Sequence, residues 1–127
     1  MEILQFSNNV EMVAHARRLL EPGNYKYSRG VSCYYRRDFG DEDGPRRCIF
    51  GRLMYGHIPE DHRFWDVIEN ASTLIDDEPV FKEKFPWMDG DVADFLQSMH
   101  DDMAQNWTPA YTWEYIETMA MEADKGE

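Results

Sequence analysis

Apolar residues in the second half of the chain recur at the three- and four-residue spacing of an α-helix. One such stripe consists of Phe64, Val67, Ile68, Ala71, Leu74 and Ile75. A second consists of Val92, Phe95, Leu96, Met99 and Met103. A helix with this pattern buries its apolar side against other helices. The two stripes therefore predict a mainly α-helical fold.

Residues typical of helix ends extend this prediction along the chain. Asn8 is a candidate N-cap for a first helix, and Pro22 is typical of its end. The apolar side of that helix is predicted to contain Val10, Val13, Ala14 and Leu20. Asp89 or Asp91 is placed to cap the helix of the second stripe, and Thr108 to cap the last helix.

The other segments complete the expected fold. Residues 46–56 have the pattern of a short helix, and residues 80–90 read as a loop. A small β-hairpin is predicted near residues 25–40, where aromatic residues are frequent and an Asp-Gly turn follows. We therefore expect a mainly α (α+β) protein with four to five helices packed around one core. Residues 1–127 would form a single domain, with residues 122–127 frayed.

The apolar segments of this chain are short. None reaches the length that crosses a bilayer, and the first residues lack the basic start and apolar core of a signal peptide. We therefore expect a cytoplasmic protein that does not bind a membrane.

Acidic residues are concentrated in the second half of the chain. Residues 1–63 hold ten basic and nine acidic residues, whereas residues 64–127 hold three basic and sixteen acidic ones. Such a field attracts basic protein surfaces and repels nucleic acid, although acidity also serves general solubility. The candidate binding face consists of Asp66, Asp76, Asp77, Glu78, Asp94, Asp101, Asp102 and Glu117. We expect a basic protein surface as partner and no direct contact with nucleic acid, and self-association stays open.

A basic cluster in the first half offers an alternative site. It consists of Arg29, Arg36, Arg37, Arg46, Arg47 and Arg52, together with Tyr35. Arginine and aromatic side chains together can hold phosphate groups and stack on bases. The same arginines could instead pair with the acidic residues between positions 38 and 43.

Two cysteines and several acid pairs are the candidates for chemistry. Cys33 and Cys48 lack the paired spacing of zinc ligands, and a disulfide is uncommon in a cytoplasmic chain. Cys48 lies near a predicted helix start, which can favour a thiolate, but burial among apolar neighbours is the simpler interpretation. Neighbouring acids at positions 76–77 and 101–102 point apart on a helix. We therefore expect no metal and no cofactor, and no catalytic residues are assigned.

Several motifs resemble a known family. They are the segments ARRLLEPG, RRCIFGRLMYG, IENAS and DGDVADFLQSMHDDM, within residues 13–104. Their order is similar to a small family of unknown function from actinobacteria and their phages, with ARxLL-x-P, W/Y-x-x-G and CxxGAL-like motifs. Arg52 stands where that family usually has a small residue. The resemblance implies one small domain, a phage or mobile-element context, and packing roles for Cys48, Gly51 and Leu53.

These observations favour a non-enzymatic binding protein. The expected function is that of a phage or mobile-element accessory protein, which imitates the charge of a nucleic acid and inhibits a host nucleic-acid-binding or defence protein. Anti-CRISPR and anti-restriction proteins are of this type. The first alternative is a binder or sponge for a phosphate-bearing nucleotide that uses the Arg/Tyr cluster. A small enzyme and an assembly component are the remaining alternatives.

Overall fold

The computed structural model describes residues 2–21, 47–67 and 69–126. These residues form α1 (Asn9–Leu20), α2 (Ile49–Met54), α3 (Ala71–Asp77), α4 (Pro79–Lys84), α5 (Gly90–Ala104) and α6 (Trp113–Lys125), with a 3₁₀ helix at Arg63–Asp66. The described residues contain no β-strand. The mainly α class is therefore confirmed. The hairpin predicted near residues 25–40 lies outside the described residues.

The core lies between these helices. α5 contacts α1, α2, α3 and α6, and α1 also packs along α6. The largest fully buried side chains include Trp65, Phe50, Phe64, Phe81, Leu4, Met12 and Leu20. Within this set the rings of Phe50 and Phe81 are stacked, with their centroids 5.9 Å apart. Side chains from every described helix contribute to this cluster, so that the described elements share one core.

The first helix begins where its capping residues predict. The Asn8 side chain accepts a hydrogen bond from the Glu11 N–H at 2.8 Å, while the Glu11 carboxylate accepts one from the Ser7 N–H at 2.7 Å. The predicted buried side is partly wrong, because Val10 and Ala14 are exposed. The buried residues are Asn9, Met12, Val13, Ala16 and Leu20. The helix is rotated because the polar Asn9 is drawn into the interior by hydrogen bonds to two other elements.

The apolar stripe that starts at Phe64 is not one helix. Phe64 lies in the 3₁₀ helix, and Val67 is extended, with φ −106° and ψ 160°. The Trp65 indole N–H donates to the Pro59 carbonyl at 2.9 Å, and this bond fixes the 3₁₀ turn. Phe64 and the apolar residues of α3 are nevertheless buried. Periodicity thus predicted the burial of these residues but not the break in the helix at Val67. Ile68 lies outside the described residues.

Residues 80–90 are also partly helical, which corrects the predicted loop. Pro79 occupies the first turn of α4, where its missing N–H costs nothing. Phe81 and Phe85 are buried and hold this short helix on the core. The additional helix explains why the described residues contain six α-helices rather than four or five.

The last two helices have well-defined starts. The Asp89 side chain caps α5 by accepting from the Val92 N–H at 3.0 Å, as predicted. Gly90 lets α5 approach α3 closely, since a Cβ there would lie 2.9 Å from the Ser72 Cβ. The prediction for α6 is wrong, because Thr112 rather than Thr108 is its cap.

The end of α6 is joined to the start of α1. α6 continues to Lys125, and the fraying expected for residues 122–127 stays a prediction. The Asp124 carboxylate accepts hydrogen bonds from the backbone N–H groups of Asn9 (2.8 Å) and Val10 (2.9 Å). It thus satisfies amides at the N-terminus of α1 that have no partner within the helix. None of the described helices is long and apolar enough to cross a membrane.

Candidate protein-binding surface

Acidic residues outnumber basic ones among the described residues. Residues 2–21, 47–67 and 69–126 hold eight Lys/Arg and twenty Asp/Glu. Most of these acids lie in the second half, where residues 69–126 alone hold three Lys/Arg and fourteen Asp/Glu. The described helices of the second half therefore contain the excess of acid that the sequence indicates.

Arg17 and Arg63 are paired with acids of their own chain. Arg17 forms ion pairs with Glu21 at 2.9 Å and Glu117 at 3.0 Å. Hydrogen bonds to these two carboxylates raise the pKa of Arg17. Arg63 bonds Glu78 and Glu69, and its pKa is raised for the same reason. Glu78 and Glu117, both assigned to the predicted binding face, therefore face arginines within the protein.

Three other predicted binding residues have hydrogen-bond partners within the chain. Asp94 accepts a hydrogen bond from the Ser72 N–H at 3.0 Å, at the start of α3. Asp101 lies 3.0 Å from Nδ1 of the buried His100. Asp102 accepts from a backbone N–H of the loop before α6, at residue 110, also at 3.0 Å. These carboxylates each have an internal partner, a role that the charge pattern did not reveal.

The last three predicted binding residues are exposed. Asp66 lies at the end of the 3₁₀ helix, and Asp76 and Asp77 lie at the end of α3. Within the described part of the chain, Asp76 and Asp77 form neither a hydrogen bond nor an ion pair with another residue. They are therefore the members of the predicted face whose charge is most available to a partner.

The alternative basic site is described only at Arg47 and Arg52. Both are buried, at 6% and 7% exposure. Arg47 pairs with Glu60 at 3.2 Å and lies over the rings of Tyr55 (4.9 Å) and Trp65 (5.3 Å). The remaining residues of this predicted site lie outside the described residues: Arg29, Tyr35, Arg36, Arg37 and Arg46.

Cys48 is a buried structural thiol. Its Sγ accepts a hydrogen bond from the Gly51 N–H at 3.4 Å and so caps α2. Burial raises the pKa of the thiol to about 12, which keeps it protonated at neutral pH. A buried, protonated thiol is a poor nucleophile. Cys33 lies outside the described residues, and the described residues hold no cluster of His, Cys, Asp or Glu suited to a metal ion.

A groove of about 350 Å³ lies beside the turn after α2. Ile3, Ile58 and Pro59 give it an apolar lining, and Lys84 lies at its edge. The Lys84 ammonium group already donates to the backbone carbonyl of His57 at 2.8 Å. We assign no ligand to this groove.

Three aromatic side chains meet between α5 and α6. We call Phe95, Tyr111 and Tyr115 the α5–α6 aromatic patch. The ring centroids of Phe95 and Tyr111 are 4.7 Å apart, and those of Phe95 and Tyr115 are 5.5 Å apart. The two tyrosine rings stack at 5.5 Å with an angle of 16°. Tyr115 is 45% exposed, and Trp107 in the preceding loop is 61% exposed.

This patch was missed by the sequence-based prediction, which placed Phe95 in the core and did not assign the other rings. The four-residue spacing of Trp107, Tyr111 and Tyr115 is the signal that could have indicated it. A four-residue spacing indicates a shared face only within one helix, and of these three residues only Tyr115 lies in a helix.

Known proteins supply no further assignment. No family model matches this chain, and neither a curated protein nor a solved structure matches it. The charge and the exposed side chains described above are therefore the features that bear on function.

Proposed function

We propose that this chain is a non-enzymatic acidic protein that binds a basic surface of another protein. The observation that carries the proposal is the excess of acid in the second half of the chain, where residues 69–126 hold three Lys/Arg and fourteen Asp/Glu. A field of this strength accelerates encounter with basic surfaces and suppresses contact with nucleic acid.

The availability of the acids supports this function. Arg17 and Arg63 are occupied by internal carboxylates and add little positive charge to the outside. Asp76, Asp77 and Asp91, by contrast, are exposed. Among the described residues, these three acids have no hydrogen-bonded or ion-paired partner. Within the described part of the chain, their charges are therefore the ones most open to a cation of a partner.

The partner that we propose is a host nucleic-acid-binding or defence protein. Such proteins carry basic surfaces that neutralise phosphates, and an acidic protein can occupy them instead. The resemblance of the quoted motifs to an actinobacterial and phage family supports a phage or mobile-element accessory role. Inhibition would follow from occupation of the surface that otherwise binds nucleic acid.

The nucleotide-binding alternative receives no support from the described residues. Arg47, which it would require, is buried against Glu60, Tyr55 and Trp65. The enzymatic alternative likewise gains no nucleophile from Cys48, whose thiol is buried and protonated.

Capture from an actinobacterial lysate at two salt concentrations tests the proposed function. The bait is the wild-type chain or a variant with Asp76→Asn, Asp77→Asn, Asp91→Asn and Glu122→Gln, all at exposed positions. Asp101 and Asp102 are left unchanged because they have internal partners. A matched control with Lys82→Gln and Lys125→Gln changes exposed charge in the opposite direction.

The wild type should retain basic nucleic-acid-binding proteins at ~0.05 M salt and release them at ~0.5 M, because salt screens exposed charges. The four-acid variant should retain less of the same proteins, and the two-lysine control as much or more. Retention that is unaffected by both salt and the four neutralised acids would disprove the proposal.

A further inference from the structure

We propose that the α5–α6 aromatic patch is the docking site for an arginine-bearing segment of the basic partner. This inference rests on the proposed function and adds the place and the kind of side chain that binds there. It depends on the exposure of the rings, on the charge around them, and on two arginine contacts within the chain itself.

The patch is a preorganised and accessible surface. Phe95, Tyr111 and Tyr115 are each within 5.5 Å of the other two, centroid to centroid. Rings that support one another lose little conformational freedom when a partner binds. Tyrosine and tryptophan are also the residues that most often dominate binding energy at interfaces. The exposed Tyr115 and Trp107 are therefore suitable anchors.

The surroundings of the patch favour a cation. Residues 90–124 contain eight Asp/Glu and not one Lys or Arg. Asp91 lies one helical turn before Phe95, and Glu122 lies two turns after Tyr115 on the same side of α6. Both acids are exposed. An apolar partner would gain nothing from these charges, and a second copy of this chain would be repelled by its own charge of −12.

Arginine fits this combination better than lysine. Its planar guanidinium stacks on an aromatic ring and keeps N–H groups free at its edge for a carboxylate. A lysine ammonium group is compact and strongly hydrated, so it gains less from a ring face.

The chain already makes this type of contact internally. Arg47 lies over the rings of Tyr55 and Trp65 while it bonds Glu60. Arg17 similarly lies 5.9 Å from the Trp113 ring centroid and pairs with a glutamate of α6. An arginine that contacts both an aromatic ring and a carboxylate therefore occurs twice among the described residues. Neither α5 nor α6 contains an arginine, so the α5–α6 aromatic patch offers its rings and acids to an arginine of the partner.

Fluorescence anisotropy with labelled nona-arginine and nona-lysine peptides tests the inference at ~0.05 M salt. We expect the wild type to bind nona-arginine at least about fivefold more tightly than nona-lysine. Tyr115→Ala should weaken nona-arginine binding about five- to tenfold and change nona-lysine binding less than twofold. Tyr115→Phe, which keeps the ring, and Met121→Ala, at another exposed position of α6, should leave both affinities unchanged.

Two further variants keep the test decisive. Tyr115→Leu retains apolar volume without an aromatic face, and it replaces Tyr115→Ala if circular dichroism shows that the alanine variant is unfolded. The paired change Asp76→Asn and Asp77→Asn, at the end of α3, should weaken both peptides to the same extent because it removes charge without touching the rings.

The outcomes separate this inference from the proposed function. Equal affinity of Tyr115→Ala, or of Tyr115→Leu where that variant replaces it, and the wild type for nona-arginine would overturn the docking site, while the acidic binding function would stand. Failure of the wild type to bind either peptide would overturn both. A dimer that sedimentation detects in the wild type and not in Tyr115→Ala would also overturn it, because the patch would then be occupied by a second copy.

Discussion

Replacement of Asn9 by alanine should be among the most destabilising polar substitutions in this protein. The side chain is fully buried. Its Oδ1 accepts from the Asp89 N–H at 2.9 Å, and its Nδ2 donates to the Trp87 carbonyl at 3.0 Å and to the Asp124 carboxylate at 2.9 Å. One amide therefore joins the start of α1, the segment before α5, and the end of α6.

The size of the effect follows from these three bonds. A typical hydrogen bond contributes about 1 kcal/mol net, one to a charged group about 1.5–3 kcal/mol, and a buried group left without a partner costs about 1–3 kcal/mol. Asn9→Ala should therefore lower the free energy of unfolding by about 3–5 kcal/mol. For a chain of this length each kcal/mol shifts the melting temperature by roughly 4 °C.

The neighbouring Asn8 provides a matched control. Its side chain forms one capping bond, to the Glu11 N–H, and Asn8→Ala should cost about 1 kcal/mol. Urea denaturation of both variants, followed by circular dichroism at fixed pH and salt, measures the difference. Equal destabilisation by the two substitutions would refute the central role assigned to Asn9.

Three further predictions concern ionisation and backbone geometry. Burial raises the pKa of Asp124, but hydrogen bonds from the start of α1 outweigh this effect and lower the pKa below its usual 3.8. The stability that the Asp124 carboxylate contributes is therefore present above pH 3.8, and it is lost as pH falls through the lower pKa of the folded state. Asp124→Asn should therefore flatten the acid limb of the stability curve, whereas Glu122→Gln should not. Cys48 should resist iodoacetamide at pH 8 in the native state and react in urea, as peptide mass spectrometry can measure; rapid native alkylation would contradict its burial. Gly56→Ala should destabilise the protein by at least about 1 kcal/mol in urea denaturation, because φ is +83° and the new Cβ would lie 2.4 Å from the Ile3 side chain. In the Ile3→Ala background the cost should be smaller, since only the backbone strain remains.

The sequence predicted the elements whose signals are local. α5 has a capping aspartate and an uninterrupted stripe, and it begins at Gly90, directly after the predicted Asp89 cap. The stripe from Phe64 failed as one helix because the chain is extended at Val67, between the 3₁₀ helix and α3. Apolar periodicity does not indicate such a break, since the residues on both sides of it are still buried.

The candidate surface shows the same limit. Composition predicted an acidic protein, and among the described residues acids outnumber basic residues by twenty to eight. Composition did not show that Asp76 is exposed, whereas Asp94 accepts a hydrogen bond at the start of α3. The aromatic patch was also hidden, because the contact between Phe95 and Tyr111 depends on how the loop returns from α5 to α6.

Release of a basic protein from DNA tests the central claim most directly. Proteins of an actinobacterial lysate that bind heparin are loaded on fluorescein-labelled duplex DNA, and the chain is then titrated while anisotropy is recorded. We predict that the wild type lowers the anisotropy to that of free DNA, and that the four-acid variant needs a severalfold higher concentration. Anisotropy that stays constant, or that the two proteins lower equally, would contradict the claim that this acidic surface occupies sites for nucleic acid.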